Sequence, residues 1–216
     1  MSLLPVIVQQ LQTLDANAAV AQDRLAQRIE QYVSLIAKWN KVHNLTAIRD
    51  PHDMLTQHVM DSLVAVPHIH GPHVIDVGSG AGLPGIPMAL AQPNWQVTLV
   101  ESNQKKAAFL QQAKIELQLH NIQIMAQRIE RIDASKPANT IVSRAFSELG
   151  QFLALTRQWA SKENANCRWV AMKGNCSEQE RNQVQAPFAV EKIVTLDVPG
   201  LHAKRQLVIM KHLCHD

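Results

Sequence analysis

The chain has few cysteines and no long apolar run. No stretch of about 18 consecutive apolar residues occurs, which excludes an ordinary membrane-spanning helix. The first residues, MSLLPVIVQQLQTLDANAAV, lack a basic start and soon become polar, so they do not resemble a secretory signal. The three cysteines, Cys167, Cys176 and Cys214, have no paired spacing, which predicts neither a disulfide framework nor a zinc site. We therefore expect a cytoplasmic protein.

Several catalytic and binding motifs are also missing. No Gly-Lys-Ser/Thr follows the glycine-rich stretch, which excludes a Walker-type phosphate loop. No Ser–His–Asp or Cys–His arrangement is evident. The histidines of PHIHGPH, His68, His70 and His73, are interrupted by Gly71-Pro72 and have no nearby carboxylate or thiolate, so we interpret this segment as a linker and predict no metal. The formal net charge of +3 is compatible with nucleic-acid binding but does not indicate it.

The first 70 residues have a helical pattern. Apolar side chains recur every three or four positions and predict one helix over about residues 22–41, on the face formed by Leu25, Ile29, Tyr32, Ile36 and Trp39. Asp50-Pro51 predicts an N-cap and a first-turn proline. A second amphipathic helix should follow through Leu55, Val59, Ser62, Leu63 and Val66 and end at Pro67 and Gly71-Pro72. We predict a helical extension over residues 1–70 and a Rossmann-like domain over residues 71–216.

From residue 73 the pattern changes to short apolar runs that alternate with helical stretches. The predicted strands are His73–Val77, Gln96–Val100, Ile122–Ala126, Thr140–Ser143 and Arg168–Met172, with helices at about 84–92, 103–119 and 148–160. This alternation predicts an α/β fold with a parallel, doubly wound sheet. The runs Val190–Val198 and Arg205–Lys211, joined by Pro199-Gly200, predict an antiparallel hairpin at the end of the sheet.

The stretch VIDVGSGAGLPGIPMAL, residues 74–90, carries the strongest functional signal. Glycines at 78, 80 and 82 follow the first strand, where ligands bind in open α/β sheets, and they allow a ligand to approach the backbone closely. Residues 80–85 satisfy the dinucleotide fingerprint, and Glu101 lies at the distance expected of a ribose-binding acid. Its carboxylate can accept hydrogen bonds from both ribose hydroxyls.

Three features favour S-adenosylmethionine over NAD as the ligand. Asp76 would attract an ammonium and a sulfonium charge and would repel a pyrophosphate. Pro84 and Pro87 remove two amide donors from the helix start that a pyrophosphate normally uses. The rest of the chain is long enough for one methyltransferase domain and too short for the catalytic half of a dehydrogenase.

The motifs together resemble a known family. DVGSGAGLPGIP, the upstream WNKVHNLTAI and HVMDSL, and the downstream RIE, VSRAF and MKG are similar, in this order, to the bacterial small-subunit (16S) ribosomal RNA guanine-N7 methyltransferases, once named glucose-inhibited division protein B. The similarity covers about residues 22–212. It implies a class I methyltransferase fold, with a mostly parallel seven-stranded sheet, and methyl transfer from S-adenosylmethionine to N7 of a guanine in the 530 loop of 16S ribosomal RNA.

The resemblance also implies site residues. The cofactor contacts carried over by position are Gly78, Leu83, Ile129, Glu130 and Arg144, to which the glycine loop itself adds Gly80 and Gly82, and Glu101 would bind the ribose. The implied partner is 16S ribosomal RNA, within the 30S subunit or an assembly intermediate, and we predict no membrane association and no stable protein partner.

Guanine N7 has an unprotonated lone pair, so the reaction needs orientation rather than an activated nucleophile or a base. The substrate-side candidates are Arg144, Lys173, Asn44 and His58, and Lys105 and Arg128 could extend a basic rim for the RNA backbone. Two alternatives remain open on residue patterns alone. One is a small-molecule methyltransferase, which would need an enclosed apolar pocket, and the other is a non-catalytic nucleotide- or NAD-binding module.

Overall fold

The computed structural model describes residues 2–14, 19–134, 137–144, 148–160 and 164–213. Two helices come first, α1 (Leu4–Leu14) and α2 (Ala19–His43). The second contains the predicted segment, and its buried face includes Ile29, Tyr32 and Ile36, as the periodicity predicts. Over the described part of the chain, no helix has both the length and the apolar character that crossing a bilayer requires.

The segment after α2 differs from the prediction of one amphipathic α-helix. Asp50 does cap a short helix, α3 (Pro51–Met54), because its Oδ1 accepts from the backbone N of His52 at 2.8 Å and of Asp53 at 3.1 Å. The chain then continues as a π-helix (Leu55–Met60) and α4 (Asp61–Leu63) before a 3₁₀ turn at Val66–His68. A π-helix has wider turns than an α-helix, so the segment is not one uniform α-helix, although Leu55, Val59, Ser62 and Leu63 of the predicted face are all buried.

Seven strands and four further helices form the rest of the described chain. The strands are β1 (His73–Val77), β2 (Gln96–Val100), β3 (Ile122–Met125), β4 (Thr140–Arg144), β5 (Arg168–Lys173), β6 (Phe188–Leu196) and β7 (Arg205–His212). The helices are α5 (Gly85–Ala91), α6 (Gln104–Glu116), α7 (Leu149–Thr156) and α8 (Glu178–Arg181). The predicted helix over 148–160 is shorter than expected because a 3₁₀ turn, Arg157–Trp159, follows α7, and α8 was not predicted.

The seven strands form one sheet in the order β3-β2-β1-β4-β5-β7-β6. The first five are parallel, and β7 is antiparallel to both β5 and β6, which confirms the predicted sheet and its final hairpin. Strand β1 pairs with β2 on one side and β4 on the other, and the chain reverses its direction of progress across the sheet between these two neighbours. Such a switch point opens a crevice at the carboxyl ends of the strands.

Each face of the sheet is covered by its own apolar cluster. One cluster joins the N-terminal helices, α5 and α6 to the face that carries Val74 and Val142. The other joins α7 to the opposite face, which carries Ile141 and Trp169. The N-terminal helices therefore bury their apolar side chains against the same sheet face as α5, although the chain boundary between extension and sheet at residues 70 and 71 stays a prediction.

Close packing at the start of α5 generates a prediction about Gly85. A Cβ at this position would collide with Leu99 and would stand 2.8 Å from Asp76 Oδ2. We expect Gly85→Ala to lower the free energy of unfolding by about 1–3 kcal/mol, the usual cost of overpacking. Urea unfolding measures this change.

Gly150 in α7 provides the matched control. A Cβ there meets only an ordinary contact, Gln183 Cβ at 3.4 Å. Gly150→Ala should leave stability unchanged or raise it by up to about 1 kcal/mol, because alanine favours a helix over glycine. Equal losses in the two variants would contradict the packing argument at Gly85.

Candidate functional site

The glycine loop turns directly after β1 and exposes bare backbone. The amides of Gly78 and Ser79 donate to Val100 O at 2.9 and 3.1 Å, which fixes the start of the loop against the end of β2. Gly78 has φ +73° and Gly80 has φ +58°, conformations that favour glycine. Among the described residues, and apart from Gly78 and its two chain neighbours, no atom lies within 4 Å of the position that a Cβ would take at Gly78. The loop thus leaves space for a ligand against its main chain.

Glu101 connects the loop to the next helix. Its Oε2 accepts from Gly80 N at 2.9 Å and its Oε1 from Asn103 N at 2.7 Å, and the residue is 7% exposed. Asn103 in turn caps α6. A carboxylate has about four lone-pair sites, so after these two hydrogen bonds Glu101 can still accept from two hydroxyl groups. The position and the remaining acceptor capacity fit the predicted ribose contact, which stays a prediction.

Asp76 lies under the loop and supports it from inside the protein. Its Oδ2 accepts from Gly85 N at 2.9 Å, and its Oδ1 is buried without a hydrogen-bond partner among the described residues. Burial raises the pKa of Asp76 to about 7, although the hydrogen bond from Gly85 and the charge of Arg144 act in the opposite direction. Asp76 therefore supports the start of α5 from within the core, in addition to the charge for which it was singled out in the sequence.

A second group of polar side chains surrounds Arg144 at the end of β4. Arg144 Nη1 donates to Gln57 O at 3.0 Å and to Asp61 Oδ2 at 3.3 Å, and its Nη2 lies 3.2 Å from His58 Nδ1. Arg205, at the start of β7, donates from Nε to Asp61 Oδ1 at 2.9 Å. One buried carboxylate therefore holds two arginines that come from different strands.

These residues line a cleft of about 330 Å³. Its walls come from the π-helix segment, the ends of β4 and β5, and the hairpin, and they include Ile48, Gln57, His58, Asp61, Arg144, Met172, Lys173, Gly174, Leu196, Arg205 and Gln206. Because β4 is the neighbour of β1, the cleft opens one strand away from the glycine loop. The cleft and the bare backbone at Gly78 thus lie at the same edge of the sheet, which suits a reaction between two ligands.

His58 is neutral in this arrangement. Its Nε2 lies 2.7 Å from Thr46 Oγ1, and its Nδ1 lies 3.2 Å from Arg144 Nη2 and 3.1 Å from Gln57 O. Burial, and then the charge of Arg144, lower the pKa of His58 to about 4. Both ring nitrogens are engaged, which favours a role in positioning Arg144 over one in proton transfer.

The structure brings together only some of the predicted substrate-side residues. Lys173 lines the cleft, but its Nζ pairs with Glu180 Oε1 at 2.6 Å. Asn44 does not line the cleft. It is exposed in the left-handed conformation with φ +47°, and its Oδ1 accepts from Arg49 Nη2 at 2.9 Å. This contact holds the turn between α2 and α3.

The predicted pair Ile129 and Glu130 forms a 3₁₀ turn after β3. Ile129 is buried, and its carbonyl accepts from Gln158 Nε2 at 3.0 Å. The side chain of Glu130 lines a separate cleft of about 1100 Å³ beside α7. Leu83 is buried within the glycine loop, with its amide bonded to Ser79 O at 2.9 Å. The cofactor roles of these residues stay predictions.

Two residues of the cleft were missed by sequence reasoning. Asp61 lies in the HVMDSL segment that carries the resemblance, yet its role depends on Arg205, which is 144 positions away. No local pattern indicates such a pairing. Within the described ranges, no group of three or more His, Cys, Asp or Glu side chains could hold a metal ion.

The shared carboxylate generates a stability prediction. In Asp61→Asn the amide oxygen can accept from only one arginine, and the partly buried guanidinium groups lose their counter-charge. Breaking a fully buried pair costs about 3–5 kcal/mol, and because Arg144 and Arg205 are partly exposed we expect about 2 kcal/mol. Urea unfolding tests this value. The more exposed pair of Arg168 and Glu191 is the control, since Glu191→Gln should change stability by less than about 1 kcal/mol.

The lowered pKa of His58 generates a pH prediction. The unfolded chain takes up this proton near 6.5 and the folded protein only near 4, so His58 lowers the free energy of unfolding as the pH falls through this window. Asp76 acts in the opposite sense, because its raised pKa reduces stability as the pH rises from 3.8 to about 7. Only a comparison with a variant isolates His58.

As the pH falls from 6.5 to 4, we expect the free energy of unfolding of His58→Gln to rise by up to about 3 kcal/mol relative to that of the unaltered protein. Urea unfolding at several pH values measures the difference, and NMR titration of the histidine ring gives the pKa directly. A ring that titrates near 6.5 would refute the burial argument.

Solved structures share the fold at low sequence identity. A protein of the NADB-Rossmann superfamily from Streptococcus agalactiae aligns with a TM-score of 0.53 at 18% identity, over 73% of this chain and 69% of that one. The B. subtilis M1A22 tRNA methyltransferase aligns with a TM-score of 0.54 at 13% identity, over 72% and 66%. These likenesses establish the Rossmann-like fold and nothing more specific.

Sequence relatives are much closer. A ribosomal RNA small subunit methyltransferase G from Nitrosomonas europaea is 53% identical over 87% of this chain and 88% of its own length. The protein of the same name from Nitrosomonas eutropha is 49% identical over 94% and 95%. The family model described as rRNA small subunit methyltransferase G matches residues 25–209, which include both the glycine loop and the cleft around Arg144 and Arg205. The chain belongs to the rRNA small subunit methyltransferase G family.

Proposed function

We propose that this protein transfers the methyl group of S-adenosylmethionine to N7 of a guanine in the 530 loop of 16S ribosomal RNA. Its family membership supports the reaction class. The observation that carries the proposal is the arrangement of two compartments on adjacent strands, the bare glycine loop with Glu101 and the cleft around Arg144. One compartment serves the methyl donor and the other serves the base.

The residues of the loop fit an adenosyl cofactor. The backbone at Gly78 borders open space, and the free acceptor sites of Glu101 suit the two ribose hydroxyls. Gly82 packs against Ile86 and Leu110, and Leu83 is buried, so any contact of these two residues with the cofactor would come from their main chain. Asp76 is fully buried beneath the loop, so its contribution is to support the loop backbone from inside the protein. A tRNA methyltransferase of the same fold, from Pyrococcus abyssi, was solved in complex with S-adenosyl-L-homocysteine and aligns with a TM-score of 0.51 at 16% identity.

When bound, the cofactor supplies an electrophilic methyl group on a sulfonium. The chain must then orient the guanine and exclude water, because N7 has no proton to lose. This requirement agrees with the state of the cleft, where His58 is neutral and both of its nitrogens are occupied. A general base is not needed.

The two arginines must leave N7 free. Arginine usually recognises guanine by donating to O6 and N7 together, which would block the lone pair that attacks. The engagement of Arg144 with Gln57, Asp61 and His58 prevents it from making that paired contact without breaking its own bonds. Arg205 donates from Nε to Asp61 and from Nη1 to Lys204 O, so its Nη2 is the donor that would contact O6 or a phosphate instead. Lys173 also lines the cleft, and such a contact by its Nζ would compete with Glu180.

The RNA partner acts as a strand segment in the 30S subunit or in an assembly intermediate, and the reaction takes place in the cytoplasm. The 330 Å³ cleft admits one base, so flanking nucleotides must lie on the surface around it. Lys105 and Arg128, which follow the ends of β2 and β3, are candidates for contacts with the backbone of those nucleotides.

Mass spectrometry of the RNA product tests the proposal directly. Protein, S-adenosylmethionine and 30S subunits from cells that lack this modification should yield one 7-methylguanosine in a fragment of the 530 loop.

In Glu101→Gln we expect S-adenosylhomocysteine binding to weaken at least tenfold, since one of the two carboxylate acceptors becomes a donor and a charged hydrogen bond is worth about 1.5–3 kcal/mol.

Calorimetry measures that affinity, and Glu116→Gln on the exposed side of α6 serves as the control with unchanged affinity. If the protein methylates small acceptors but not 30S subunits, its substrate is a small molecule and the proposal of an RNA substrate is wrong. Binding of NADH in place of S-adenosylhomocysteine would overturn the whole assignment.

A further inference from the structure

The glycine loop is held by a residue of the N-terminal helices as well as by Glu101. Tyr32 of α2 donates from its hydroxyl to Ala81 O at 2.6 Å, across 49 positions of the chain. The side chain is completely buried, in the same apolar cluster as Ala81 and Ile86. Burial raises the pKa of Tyr32 well above its usual value, so the hydroxyl keeps its proton and remains a donor.

This hydrogen bond determines the orientation of one peptide group. The carbonyl of Ala81 and the amide of Gly82 belong to the same planar unit. Tyr32 holds the oxygen, and Ser79 O accepts from the Gly82 amide at 2.7 Å on the opposite side. With both ends engaged, the plane cannot rotate.

A constraint from outside the loop is needed because the glycines that flank Ala81 do little to restrict the backbone conformation. Gly80 and Gly82 both have positive φ, and glycine occupies many other conformations with similar ease. Residues close in the chain provide the hydrogen bonds to the Ser79 carbonyl, which accepts from the amides of Gly82 and Leu83. The Ala81 carbonyl differs, because within the described residues its hydrogen bond comes only from Tyr32 of α2. A loop that is already in its binding conformation binds more tightly than one that must be ordered.

We infer that Tyr32 is a positioning residue of the cofactor site, through which helix α2 holds the glycine loop in its binding conformation. The inference rests on the proposed function, since it assigns the cofactor to this loop. It gives the N-terminal helices a direct part in cofactor binding, in addition to their packing against the sheet.

Tyr32→Phe tests the inference in the full-length protein. The variant removes one hydroxyl and keeps the aromatic ring in the core. Loss of the hydrogen bond leaves a buried carbonyl unpaired, and we expect S-adenosylhomocysteine to bind about tenfold more weakly by calorimetry. In the ligand-free protein, the amides of Gly82 and Leu83 should exchange their hydrogens faster.

Thr156→Val is the matched control. Thr156 is equally buried, and its hydroxyl donates to Phe152 O at 2.7 Å and accepts from Trp169 Nε1 at 2.9 Å. Both partners belong to the apolar cluster on the other sheet face. This variant should lose stability without a change in affinity or in exchange at Gly82 and Leu83. A general loss of stability would affect both variants alike.

The outcomes separate the two claims. Unchanged affinity and unchanged loop exchange in Tyr32→Phe overturn the positioning role, whatever the activity. Equal weakening of binding in Thr156→Val overturns it as well. If the unaltered protein fails to bind S-adenosylhomocysteine, the proposed function fails, and the exchange rates still decide whether Tyr32 holds the loop.

Discussion

A loop rich in glycine has no preferred conformation, and the cofactor site depends on how the surrounding elements impose one. Glu101 at the end of β2 holds the Gly80 amide, and Tyr32 of α2 holds the Ala81 carbonyl. Asp76 holds the amide at which α5 begins. Each anchor comes from a different element, so the loop acquires its shape only when the sheet, α2 and α5 have packed together. In the proposed function, cofactor binding therefore depends on the fold through these backbone hydrogen bonds.

In the neighbouring cleft, too, residues from distant elements hold each other in position, here through charged pairs. Asp61 is buried, and an isolated buried carboxylate is costly, so it must be paired. Arg144 and Arg205 both pair with it, which brings the end of β4 and the start of β7 to one point. Because two cations share one anion, the cleft keeps a net positive charge that suits RNA, yet its arginines are fixed in position. Fixed donors lose little freedom when the substrate binds.

Local patterns predicted most of the fold, and long-range contacts account for what they missed. The strand bounds, the glycine loop and the final hairpin depend on residues close together in the chain, so spacing indicated them. The π-helix was predicted as an α-helix because the spacing of apolar residues over one or two turns does not distinguish the two helix types. The partners Asp61 and Arg205, and Tyr32 and Ala81, are far apart in sequence and become visible only in the folded chain.

Asn44 and Asp76 show a different limit. The type of a side chain indicates which bonds it can make, but not which of several partners it finds. Asn44 lies in the WNKVHNLTAI segment, where a substrate contact was predicted, and its amide oxygen instead accepts from Arg49. Asp76 was predicted as an anion that suits the cofactor's positive charges, and in the folded chain one of its oxygens accepts from the backbone where α5 begins. In both cases the backbone turn beside the residue provides the nearer partner.

The protonation states of the buried groups fit a reaction controlled by geometry. A nucleophile that needs activation would require a base with a pKa near neutral and an open lone pair. His58, the histidine of the cleft, has a pKa lowered to about 4 and has both nitrogens bonded. Tyr32 retains its proton, and Asp76 is enclosed beneath the loop. His58, Tyr32 and Asp76 thus hold neighbouring side chains and backbone in position. Guanine N7 already has a free lone pair, so positioning is what the reaction requires from the protein.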